Sequence, residues 1–142
     1  MAKNDDIVAE LEQIEAEHGI VRPEDVVEFA RDPATALHSQ FEWNDTEAAR
    51  KHRIWQAREI LNVCVRFVGD VEKRPMRAYV SLGSDRLAGG GYRSTVRVLD
   101  DADRRAELLA QAKREAQQWA DRYKEFAELA RIREAILSTV AG

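Results

Sequence analysis

Apolar residues recur through the first sixty positions with the period of a helix. Ile7, Leu11 and Ile14 stand at i, i+4 and i+7 with Val8 beside them, and acids fill the other side, which predicts a helix over 5–17. Gly19 after His18 is the expected stop. Pro23, Glu24 and Asp25 open a second helix, since proline loses no hydrogen bond at the first helical position and acids favour the positive end of the helix dipole. Val26, Val27, Phe29 and Ala30 supply its core side, and Asp32-Pro33 ends it. In the irregular link over 34–43, Leu37, Phe41 and Trp43 are expected to pin the chain to the core. Asn44 as N-cap, with Glu47 three residues on, starts a third helix that runs to about Leu61 on a buried stripe of Ile54, Ala57 and Leu61.

The period then shortens to two. Val63, Val65 and Phe67 alternate with Cys64, Arg66 and Val68. Ala78, Val80 and Leu82 alternate with Arg77, Tyr79 and Ser81, and Tyr92, Ser94, Val96 and Val98 alternate with Arg93, Thr95 and Arg97. Such alternation in β-branched and aromatic residues predicts three strands. Gly69-Asp70 and Gly83-Ser84 read as turns and Gly89-Gly90-Gly91 as a mobile hairpin loop, giving a three-stranded antiparallel meander with one wet face.

Asp100 or Asp101 caps a long C-terminal helical region. Leu109, Ala112, Ala116, Trp119, Tyr123, Phe126 and Ala130 keep a heptad-like spacing that fails at Arg133, where the helix either breaks or carries its apolar face round. The fold class is therefore a helix-rich α+β single domain over 1–142. It comprises a helical part at 1–62, an antiparallel sheet at 63–99 and a C-terminal helix or helix pair at 100–142, and a winged-helix-like arrangement is compatible with that order.

Composition agrees with a globular chain: 142 residues, 44% hydrophobic and 34% charged. No apolar run reaches bilayer length, no apolar stretch follows the N-terminal methionine, and Cys64 is the single cysteine, so neither membrane, secretory signal nor intramolecular disulfide is expected, and a reducing cytoplasm is the simplest compartment. Charge changes the picture more. Residues 1–47 hold three Lys/Arg against thirteen Asp/Glu, residues 48–98 hold eleven against four, and residues 99–142 hold eight against nine. A basic block after an acidic one points to an anionic partner, or to the two blocks pairing with each other.

Catalytic chemistry finds no support. His18, His38 and His52 have no companions at metal-ligand spacing, His38-Ser39 lies in no triad or elbow pattern, and the glycine run lacks the Gly-Lys-Ser/Thr that grips phosphate. A non-enzymatic protein without cofactor or metal is expected. With the apolar strand positions turned inward, the outer sheet face carries Arg66, Arg77, Tyr79, Ser81, Arg93, Thr95 and Arg97. The third helix adds Arg50, Lys51, Arg53 and Arg58. Arginine forks and a tyrosine on a sheet suit a phosphate backbone and a stacked base. The plainer reading is a solvated face whose arginines pair with acids of the first two helices. Those two helices have the scale of a helix-turn-helix, but their acidity opposes DNA. At the C-terminal seam, Ala112 and Ala116 permit close helix approach and Trp119, Tyr123 and Phe126 offer large areas, so the seam serves either the protein's own core or self-association as a homo-oligomer.

Pro23-Glu24-Asp25-Val26-Val27, Ala30-Arg31, Leu37-His38, Phe41-Glu42-Trp43, Ala48-Ala49 and Gln56-Ala57-Arg58 carry a resemblance. Through them residues 23–61 resemble a family of small, uncharacterised proteins encoded in bacteriophage and prophage genomes. The resemblance implies a phage or prophage origin and hence a bacterial host cytoplasm; it brings no activity and no site residues. The expected function is a phage accessory protein that binds nucleic acid in regulation, replication or recombination. The alternative is an oligomeric structural or adaptor protein assembled through its C-terminal helices.

Overall fold

The computed structural model of the chain describes residues 4–44, 46–68 and 73–142; the turn expected at Gly69-Asp70 lies outside them. The chain divides into two compact units, Met1–Val98 and Leu99–Gly142, one residue from the end of the region that the pattern assigns to the sheet. The class is helix-rich α+β, with seven α-helices and four short strands among the described residues.

In the first unit, α1 (Asn4–His18) buries Val8, Leu11 and Ile14 as its period requires. It ends where Gly19, at φ +78°, donates its amide to the Glu15 carbonyl at 2.7 Å. α2 (Pro23–Ala30) starts on its proline and buries Val26, Val27 and Ala30. Leu37–Gln40 form a 3-10 turn, and Glu10 of α1 receives the amides of Ala36 and Leu37 at 2.7 and 2.8 Å. α3 (Glu47–Val63) begins two residues later than Asn44 predicts. Thr46 is the N-cap, accepting from the Ala49 amide at 3.1 Å, while the Asn44 side chain accepts from the Thr46 amide and hydroxyl. The buried stripe of α3 is Arg53, Ala57 and Leu61, so a charged residue occupies a position expected to be wet.

The sheet differs from the expected meander. β1 (Val65–Val68) pairs antiparallel with β2 (Arg74–Arg77), Val65 opposite Arg77. β3 (Tyr79–Val80) pairs with β4 (Arg93–Ser94), Tyr79 opposite Ser94. These are two two-stranded ladders meeting at Ala78, whose amide donates to the Cys64 carbonyl and whose carbonyl accepts from the Thr95 amide. The bend at Ala78 resets the alternation, so Ala78 and Tyr79 are both buried. Val63 closes α3 and is exposed, as is Phe67. The third predicted strand survives only as Arg93-Ser94. Thr95–Asp100 coil into α5, with Thr95 and Val98 buried three apart and the Thr95 hydroxyl donating to the Arg77 carbonyl at 2.7 Å. Gly83–Leu87 form a short helix, α4, where a turn was expected. The glycines that follow carry positive φ, and an isolated bridge joins Val21 to Tyr92.

In the second unit Asp101 caps α6 (Ala102–Arg122), accepting from the amides of Asp103 and Arg104. The helix breaks after Arg122, ten residues before the register fails in the sequence. A 3-10 turn (Ala127–Leu129) then leads into α7 (Ala130–Ala141). Arg133 Nε donates to the Ala120 carbonyl at 3.0 Å, tying α7 back to α6. Among the described residues no helix is long and apolar enough to cross a membrane.

Candidate nucleic-acid interface

The structure splits the nine expected contact residues into two groups. Tyr79, 1% exposed, is part of the core and presents no ring for stacking. Burial, and then the Glu15 carboxylate, push its phenol well above its ordinary 10.0. Arg93 grips Asp85 with Nε and Nη2 and also donates to the Gly19 carbonyl. Arg66 pairs with Glu12, and Arg97, itself exposed, stands 3.7 Å from Glu15. Glu15 is itself buried and accepts from the Ser94 amide at 2.7 Å. Part of the basic block is thus neutralised by the acidic first helix, and the outer sheet face is no arginine platform. Arg53 is buried, with Nη1 donating to the carbonyls of Glu42 and Asn44.

The second group remains in solvent. Arg50, Lys51 and Arg58 of α3 are exposed, and so is Arg77 of β2 beside Lys73 and Arg74, two cations outside the expected set. Trp55 was missed as well. It stands two residues from both Arg53 and Ala57, hence on the opposite side of the helix from the buried stripe, and 54% of it is exposed. Lys51, Trp55 and Arg58 fall at i, i+4 and i+7 and share one face. The His52 ring stacks on Trp55, centroids 5.6 Å apart and planes 16° apart. The signal was available in the sequence: once Ala57 and Leu61 are inside, a tryptophan at 55 has to be outside.

The His38 ring is engaged by the Ala30 carbonyl at 2.7 Å and stacked on Trp43, and the Ser39 hydroxyl turns to the Ala36 carbonyl. Cys64 is buried, and desolvation pushes its thiol up to about 11. Among the described residues no group of three or more His, Cys, Asp or Glu could hold a metal ion.

The expected oligomer residues divide too. Ala112 and Ala116 line a groove of about 430 Å³ between α6 and α7 with Ile132, Ile136 and Val140. Trp119, Tyr123 and Phe126 form a chain of tilted rings at the turn after α6, centroids 5.4 and 6.2 Å apart. Compared with protein-family models, curated proteins and solved structures, the chain finds no match in any of the three.

Proposed function

We propose that the chain is a non-enzymatic nucleic-acid-binding protein whose contact surface is the exposed face of α3. The observation that carries this reading is Trp55, a large ring held in solvent between Lys51 and Arg58 on one helix face. A large ring half in solvent beside two cations is a surface on which a base can stack. Cations on either side suit phosphates, and stacking an unpaired base on such a ring is worth about 1–3 kcal/mol. Single-stranded segments fit best, because their bases can leave the stack. A phage or prophage origin, implied by the resemblance over 23–61, would set this activity in an infected or lysogenic bacterium, as an accessory to regulation, replication or recombination.

Fluorescence anisotropy with a labelled oligo-dT strand tests it. Affinity should fall steeply with salt, and Lys51→Glu with Arg58→Glu should abolish binding. Salt-independent binding, or binding that survives the double change, would overturn the reading.

A second reading has its own observation. α6 and α7 leave an apolar groove, Leu109 and Ile132 are exposed, and Ala120 is the one fully buried residue described in that unit. A second copy of the hairpin would cover this groove, helix against helix. Light scattering would then give a dimer that Ala116→Glu converts to monomer.

A further inference from the structure

Arg53 is 4% exposed, yet no carboxylate lies within 4 Å of its guanidinium among the described residues. Its Nη1 donates to two neutral carbonyls, those of Glu42 and Asn44, at 3.1 and 2.9 Å. Its Nε is buried and has no acceptor, and the Trp43 ring lies 5.2 Å from its Cζ. Two carbonyls and a ring do not neutralise a buried cation, and burying a charge without a counter-charge is costly.

Around this guanidinium the surface opens. Arg31 and Arg53 line two clefts, of about 200 and 330 Å³. The first is completed by His38, Trp43 and Asn44, the second by Thr46, Glu47 and Arg50. Arg31 gives its Nε to Glu28 at 2.9 Å and keeps both Nη groups without a protein acceptor among the described residues. Arg50, exposed in the first turn of α3, makes no ion pair among the described residues. The 17-residue α3 also starts here. Its cap, Thr46, takes the Ala49 amide and leaves those of Glu47 and Ala48 at the positive end of the helix dipole. Arg31, Arg50 and Arg53 therefore line the second cleft at the start of α3, where Glu47 is the one lining carboxylate among the described residues.

We propose that this cleft binds a phosphate group, as free phosphate or as the terminal phosphomonoester of a nucleic-acid strand. A tetrahedral dianion supplies the charge that Arg53 lacks, and its oxygens match guanidinium forks and helix N-terminal amides. The proposal does not rest on the α3 face: Lys51, Trp55 and Arg58 line neither cleft.

The test uses the full chain and inorganic phosphate, titrated by calorimetry and by thermal melting against chloride at equal ionic strength. Phosphate should bind and raise the melting temperature beyond the chloride control. Arg31→Gln and Arg50→Gln, both at exposed positions and so expected to fold, should each weaken binding about tenfold, and Lys51→Glu with Arg58→Glu should leave it unchanged. Comparing a 5′-phosphorylated oligonucleotide with its 5′-hydroxyl twin identifies the source. A preference for the phosphorylated strand that disappears in Arg50→Gln supports a strand end; equal affinity for both strands, with inorganic phosphate still bound, supports a free or small-molecule phosphate. No response beyond chloride, or one that survives both arginine changes, overturns the proposal. Failure of oligonucleotide binding alone would count against the α3 face and leave this cleft standing.

Discussion

Arg93 holds both oxygens of Asp85, with Nε 2.7 Å from Oδ2 and Nη2 2.8 Å from Oδ1. The pair ties β4 back to α4 across the glycines between them, and Arg93 Nη1 reaches the Gly19 carbonyl at the end of α1. A two-pronged, largely buried pair of this kind is costly to break from one side, because the remaining charge loses water and partner together. Asp85→Ala should cost about 3 kcal/mol in urea unfolding followed by circular dichroism. Arg93→Gln should also destabilise the fold, while nucleic-acid affinity measured well below the melting temperature stays within about twofold. A large loss of affinity in stably folded Arg93→Gln would return this residue to the contact surface.

Gly91 carries φ +131°, and a Cβ there would meet Ile20 Cδ1 and Cγ1 at 2.6 and 2.7 Å, with the Val21 carbonyl at 3.4 Å. The close approach allows the bridge between Val21 and Tyr92, whose two hydrogen bonds measure 2.8 and 2.6 Å. Gly91→Ala should cost roughly 1–3 kcal/mol, from backbone strain together with the displaced Ile20 side chain. Gly89→Ala is sterically open and should cost less, its positive φ being the only obstacle. Melting temperatures of the two variants compare the terms directly.

Two buried acids set the alkaline limit of stability. Cys64 ionises near 9.0 when unfolded and near 11 when folded, so between these values the unfolded chain holds fewer protons and stability falls as pH rises. The loss begins near pH 9 and reaches about 2–3 kcal/mol above pH 11. Tyr79, also held above its ordinary value, adds a loss of the same sign beginning near pH 10. Urea midpoints between pH 7 and 11 should decline through this window, and Cys64→Ala should flatten its lower part. At pH 8 only about one thiol in a thousand is ionised, so a disulfide reagent such as Ellman's should react slowly with the native chain and promptly once urea unfolds it.

Trp55 gives a prediction in which stability and binding separate. Because half of its surface is already wet, Trp55→Ala should change unfolding free energy by no more than about 0.5 kcal/mol. Loss of a stacked base should weaken single-strand binding by about 1–3 kcal/mol, roughly 5- to 150-fold. Phe41→Ala should do the opposite, since that ring is buried in the core and its removal costs about 3–5 kcal/mol of stability. An anisotropy titration and a urea curve on each variant would distinguish the two behaviours.

Local rules were enough for the first two helices. Apolar spacing, Pro23 and Gly19 determine α1 and α2 almost to the residue, since caps and helical period act over three or four neighbours. Two-residue alternation reveals extended backbone near 65–68 and 77–80 but cannot say how those strands share partners. Tertiary structure decided that Ala78 bends and turns Tyr79 inward. It also sent Thr95–Asp100 into a helix, because six residues with apolar positions at 96, 98 and 99 satisfy either period until neighbours bury Thr95 and Val98. The basic block itself is legible in the sequence, but its division is not. Arg66 and Arg93 find acids on α1 and α4, Arg53 is buried on neutral carbonyls, Arg97 stays exposed beside Glu15, and Lys51, Arg58 and Arg77 stay in water. Whether an arginine is paired, buried or free depends on groups as far away in sequence as Glu15 is from Arg97. Charge composition records how many cations there are, and only the folded chain determines which of them a partner can reach.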